Sequence, residues 1–175
     1  TAEYASNNPL SPTDTEFNNI YRATGKLPAE SQKTKKVLVG RDLQAGEFSF
    51  ELRKVGVEGV LQTVQNDANG IITFNYLDQF SFTQEDIGNT YQYTVQEVTP
   101  SNPEMGMDYD KCILRYLGTV VDEGDGILTV TRTFEPIEGQ TNEWFTNTFT
   151  PMPSAIITKV ARQKNFTAPG TVTYD

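Results

Sequence analysis

At 175 residues the chain has room for one large β domain, or one domain with pieces of its neighbours, and two complete domains would be cramped. A formal net charge of −9 and a sequence pI of about 4.5 exclude an electrostatic grip on nucleic acid or on an anionic membrane surface. The absence of histidine removes the Ser-His-Asp and Cys-His nucleophile systems and the commonest zinc ligand, and a single cysteine, Cys112, forbids an intramolecular disulfide.

Hydrophobic residues at 37% and aromatics at 11% are enough for a packed core. The N-terminal stretch contains "EFNNIY" (Glu16 to Tyr21) and shows no signal peptide, as a fragment or a mature form would not. "LPAES" (Leu27 to Ser31) opens like a wall-sorting motif but lacks its Thr-Gly, and reads as linker. The first strand is "KKVLVG". "EFSFEL" then turns Phe48, Phe50 and Leu52 to one face, and "GVEGVLQT" has glycines but no phosphate-loop Lys-Ser/Thr pair. After the turn "NDANG" come "GIITFNYL", a single helical turn "TQEDIG", and the alternating strand "NTYQYTVQEV". "DKCILRYLGTVV" and "ILTVTRTF" flank "DEGDG". This acidic turn lacks the ligand spacing of an EF-hand loop and is expected as a tight hairpin, not a metal site. Cys112 within "KCILRYLG" is a small core residue. The last strand is "EWFTNTFT". No run of eighteen apolar residues crosses a membrane. The pattern predicts an all-β fold, an immunoglobulin-like antiparallel two-sheet sandwich.

Some landmarks occur twice and out of order. "EFNNIY" echoes "WFTNTF", placing Asn19 where Asn147 stands, and "TKV" at Thr158 to Val160 echoes "KKV", placing Lys159 where Lys36 stands. Cutting a tandem array produces this; coincidence between short Thr- and Asn-rich strands is the alternative. On the array reading, 1–24 is the tail of a preceding repeat, 25–34 a linker, 35–151 the β-sandwich domain and 152–175 the start of a following repeat.

Three polar residues fall in phase with apolar ones. Alternation puts Glu97 on the face of Tyr91, Tyr93 and Val95, and Asn147 on the face of Phe145 and Phe149. On the first strand, Lys36 is in phase with Leu38, but Lys35 is equally in phase with Val37 and Val39. Each residue alone is explained by a strand end, where Lys snorkels and Glu reaches water. Together they suggest chemistry. Burial pushes a lysine toward its neutral amine and a glutamate toward its acid. A neutral amine held against a carboxamide can displace ammonia and form an amide, with the carboxyl moving the protons.

"KVLVGRDLQAGEFSFEL", "NDANGIITFNYLDQFSFTQEDIGNTYQYTVQEV", "GMDYDK", "VVDEGDGILTV" and "FTNTFTP" together resemble the isopeptide-linkage repeat of Gram-positive pilins and surface adhesins, the streptococcal major pilin family. The resemblance covers roughly Lys35 to Pro151. It implies that a first-strand lysine, Lys36, is joined to a last-strand asparagine, Asn147, with the help of a middle-strand glutamate, Glu97. Phe149 stands where that family usually shows Tyr, which keeps the packing and loses a hydroxyl.

The expected function is therefore a structural module of a bacterial surface adhesin or pilus, extracellular at the bacterial cell surface, in the cell wall or in a pilus. It turns nothing over, needs no cofactor or metal, and has adjacent repeats of the same protein as its partners. The alternative is a ligand-binding adhesin domain whose loops contact a host glycan or protein receptor. An apolar wall of Tyr91, Tyr93, Phe145 and Phe149 is expected to surround the three polar residues.

Overall fold

A computed structural model describes residues 21–137 and 140–153. The described residues form eleven strands: β1 (Thr24–Gly25), β2 (Lys33–Val39), β3 (Ser49–Lys54), β4 (Gln62–Gln65), β5 (Ile71–Thr73), β6 (Phe82–Thr83), β7 (Thr90–Val98), β8 (Met107–Asp108), β9 (Ile113–Asp122), β10 (Ile127–Glu135) and β11 (Trp144–Phe149). They form a seven-stranded sheet in the order β4-β3-β7-β9-β10-β1-β6 and a four-stranded sheet in the order β5-β2-β11-β8. The expected two-sheet sandwich is therefore present. Most neighbours are antiparallel, but β2 and β11 run parallel, as do β1 and β10.

The core follows from the alternation. Phe48, Phe50 and Leu52 point inward, as expected, and meet Val95 of β7, Leu114 and Tyr116 of β9, Ile72 of β5, Phe74, and Phe145 of β11. Ala23, Val120, Leu128 and Val130 make a smaller second cluster. The "DEGDG" turn joins β9 to β10 as a hairpin in which the carboxylates cap the backbone: Asp122 accepts from the Gly124 N–H at 2.8 Å and Asp125 from the Ile127 N–H at 2.9 Å. Among the described residues, no group of three or more acidic or cysteine side chains is gathered as a metal site. Nor is any helix there long and apolar enough to cross a membrane.

Two segments differ from the sequence reading. "GIITFNYL" stays a strand only to Thr73 and then turns into a 3-10 helix over Tyr76–Gln79, because the Gln62 side chain accepts from the Asn75 and Tyr76 N–H groups and pulls the backbone out of the ladder. "TQEDIG" does contain a short 3-10 turn, Gln84–Asp86, closed by a Thr83–Asp86 capping box. Thr24, at the end of the stretch read as a repeat tail, and Gly25, at the start of the one read as linker, pair in the larger sheet; within the linker Ala29–Gln32 forms a 3-10 turn, and Gln32 is buried with its side chain donating to Asp78. The repeat-derived expectations for Asn19 and Lys159 lie outside the described residues.

The turn "NDANG" sets the position of β5 against β2. Asp67 accepts from the N–H groups of Asn69 and Ile71, and Gly70 takes a φ of +81°, a conformation strained for a residue with a side chain. The Gly70 carbonyl then accepts from the Lys36 N–H at 2.7 Å, fixing the first strand at the lysine itself.

Candidate functional site

The sandwich brings Lys36, Glu97 and Asn147 together from three strands and both sheets. On β2, Lys36 turns into the core while Lys35 is exposed, which settles a choice that alternation left open. The parallel β2–β11 register places Phe145 beside Lys36 and Asn147 beside Leu38, so Lys36 and Asn147 sit on the inner face of adjacent strands. Glu97 comes from the facing sheet, where it pairs with Phe50 of β3. Relative exposures of 1% for Lys36, 4% for Glu97 and 0% for Asn147 put all three in the dry interior, where strand-end snorkelling is not available to them.

Their polar atoms are matched one to one. Lys36 Nζ donates to Glu97 Oε2 at 2.6 Å, and Asn147 Nδ2 donates to Glu97 Oε1 at 2.6 Å. One carboxyl thus holds both the amine and the carboxamide. Burial lowers the pKa of Lys36 and raises that of Glu97, although the hydrogen bond and charge attraction between them oppose both shifts. The desolvated pair is drawn toward a neutral amine and a neutral acid, the form in which the lysine nitrogen has a free lone pair.

The walls of the site differ in part from the expected set. Phe145 is fully buried and packs at a tilt against Phe50 with ring centroids 5.1 Å apart, and Lys36 Nζ lies 4.5 Å from the Phe48 ring centroid. Tyr91 instead packs on Phe82 in the second cluster. It shares a face with Glu97 but lies six residues along the strand, about 20 Å at 3.3 Å per residue. Phe149 is half-buried beneath the Arg41 guanidinium, and Tyr93 borders the main core. Shared face identified the neighbours correctly only over short distances along a strand.

One residue of the site went unread. The Asp110 N–H donates to Asn147 Oδ1 at 2.7 Å. The Asp110 carboxylate accepts from the Thr146 N–H at 2.7 Å and from the Cys112 N–H at 2.9 Å. Asp110 follows the two-residue strand β8, too short to carry a period, and its only sequence signal was its place in "GMDYDK". Cys112 lies beside it, half-buried, its thiol pKa pushed up to about 12 chiefly by burial and then by the Asp110 carboxylate.

Comparison with known proteins places the chain in a family. Residues 32–150 match the family described as FctA, the Spy0128-like isopeptide containing domain. The chain belongs to this family. Among solved structures, the major pilin of Streptococcus pyogenes is similar in a single-site mutant form at 14% identity, with a TM-score of 0.44, over 73% of this chain and 49% of the pilin. The pilin without that substitution is similar at 15% identity, with a TM-score of 0.38 and the same coverage. The chain thus spans about half the length of the pilin it matches. No curated protein sequence matches it.

Proposed function

We propose that this FctA-type domain is a structural module of a bacterial surface fibre or adhesin, locked by an amide that forms once between Lys36 and Asn147. The observation that carries the reading is the buried Glu97 carboxyl bonded to both Lys36 Nζ and Asn147 Nδ2. The family's description as an isopeptide containing domain supports it.

The chemistry starts with transfer of the ammonium proton from Lys36 to Glu97, which burial favours. The Lys36 amine attacks Asn147 Cγ, and the carbonyl π pair moves to Oδ1. The attacking nitrogen loses a proton to the carboxyl system, and Glu97 delivers one to Nδ2. The C–Nδ2 bond breaks, ammonia leaves, and a secondary amide remains. Glu97 keeps the proton taken from the Lys36 ammonium, passes one further proton from the attacking to the leaving nitrogen, and ends as the neutral acid when ammonia leaves, acting as proton carrier for a single turnover. No cofactor enters the balance.

The location of the bond suggests its use. β2 and β11 are adjacent and parallel, so tension applied at the two ends of the domain shears that pair. An amide between them would route force past the intervening sheet. In this reading the domain works at the cell surface, with neighbouring domains of the same protein as its partners.

The test is the intact mass of the purified, folded chain. The expected mass is lower than the sequence mass by one ammonia, with a branched Lys36–Asn147 peptide in the digest and full sequence mass for a folded Glu97→Ala variant. An unmodified mass for folded wild type overturns the reading.

A further inference from the structure

We infer that Asp110 is a positioning residue for the cross-link: its main-chain N–H holds the Asn147 carboxamide oxygen, and its carboxylate staples that N–H to β11. The inference rests on the Lys36–Asn147 reaction proposed above.

A buried carboxamide can be turned in two ways, and the difference matters for this reaction. With Oδ1 on the Asp110 N–H at 2.7 Å and Nδ2 on Glu97 Oε1 at 2.6 Å, the leaving nitrogen faces the group that must protonate it. The reverse orientation would set Nδ2 against the Asp110 N–H, donor against donor. The Asp110 N–H therefore selects the productive orientation. It also lies where negative charge develops, because attack by Lys36 moves the π pair onto Oδ1. A fixed N–H at that oxygen is worth most in a dry site.

The side chain explains why the N–H stays there. Asp110 Oδ2 accepts from the N–H of Thr146, the residue before Asn147, and Oδ1 accepts from the Cys112 N–H. On the other side of Asn147, Thr148 pairs with Asp108 of β8. The 108–112 segment is thus tied to β11 on both sides of the reacting residue. Removing the carboxylate frees one of these ties and lets the N–H drift from Oδ1.

The full chain is made by cell-free synthesis, with folding followed by Trp144 fluorescence and ammonia loss by time-resolved intact mass. For wild type, mass loss should follow folding closely. For Asp110→Ala it should lag, about ten- to a hundredfold slower, with a folded but unlinked species accumulating. Asp110→Asn keeps one acceptor oxygen for two N–H donors and should be intermediate; it also serves if Asp110→Ala fails to fold. Introducing Asp110→Ala into Glu97→Ala, which cannot cross-link, measures the structural cost separately. Ammonia loss at the wild-type rate in both Asp110 variants overturns the role of Asp110 and leaves the cross-link standing. A folded wild type that never loses ammonia overturns both.

Discussion

Replacing Lys36 by methionine separates the covalent contribution from ordinary packing. The Lys36 side chain is 1% exposed and its Nζ lies 4.5 Å from the Phe48 ring centroid, so an unbranched thioether of similar length fills the same space. The amine is lost and the cross-link cannot form. Glu97 keeps Asn147 as a hydrogen-bond partner, and burial keeps its carboxyl toward the protonated form, so no stranded charge is expected. What disappears is the closure of a loop of roughly 100 residues, about 4.7 kcal/mol by the chain-entropy argument. For a domain of this size, each kcal/mol moves the melting temperature by roughly 3–5 °C, so Lys36→Met should melt about 15–20 °C below wild type. Lys36→Ala should lose about 2–5 kcal/mol more through the cavity it leaves. The assay is thermal unfolding by circular dichroism, with intact mass measured on the same samples. Comparing Glu97→Ala with Glu97→Ala/Lys36→Met gives the non-covalent cost of the lysine, expected to be small. If cross-linked wild type and Lys36→Met melt within about 3 °C of each other, the bond does not stabilise the fold by constraining the unfolded chain.

The Cys112 thiol, with its pKa pushed up to about 12, should react with iodoacetamide at pH 8 roughly a thousandfold more slowly than a free cysteine of pKa about 8.5; a rate near that of free cysteine would show that the thiol is not held in its buried, protonated state. Because that pKa is raised in the fold, the thiol's contribution to stability is intact below about pH 8.5 and is lost as pH climbs from there toward 12. Titrating the melting temperature over that range should show a steeper loss in wild type than in Cys112→Ser, because Tyr93 and Tyr116, whose pKa values burial also raises, lose their contribution in both. Gly70→Ala would place a Cβ 2.1 Å from the Lys36 carbonyl oxygen at a φ of +81°. It should destabilise the fold by about 1–3 kcal/mol and slow ammonia loss by shifting β2, read by melting and by intact mass; a variant that melts and cross-links as wild type does would release β2 from the Gly70 anchor.

Alternation along single strands was enough to place Phe48, Phe50, Leu52, Glu97 and Asn147 on inner faces, because the side-chain period of a strand is two and needs no knowledge of the partner strand. The all-β class and the hairpin around "DEGDG" were legible for the same local reason. Alternation by itself did not choose between Lys35 and Lys36, since either could be in phase with apolar neighbours, and only the motif resemblance pointed to Lys36. The second sheet gives the physical reason: β2 is clamped between β5 and β11, and only the Lys36 side chain then points at Glu97. The walls of the site were likewise beyond a one-strand reading. Tyr91 shares a face with Glu97 yet packs in a different cluster, while Phe48 and Phe50 reach the lysine from across the sandwich. Asp110 was the least accessible, because its part depends on a main-chain N–H and a two-residue strand, neither of which leaves a side-chain pattern. Local periodicity determined which way each side chain faced; which side chains met was decided by the packing of two sheets, and by contacts between residues 61, 50 and 37 positions apart.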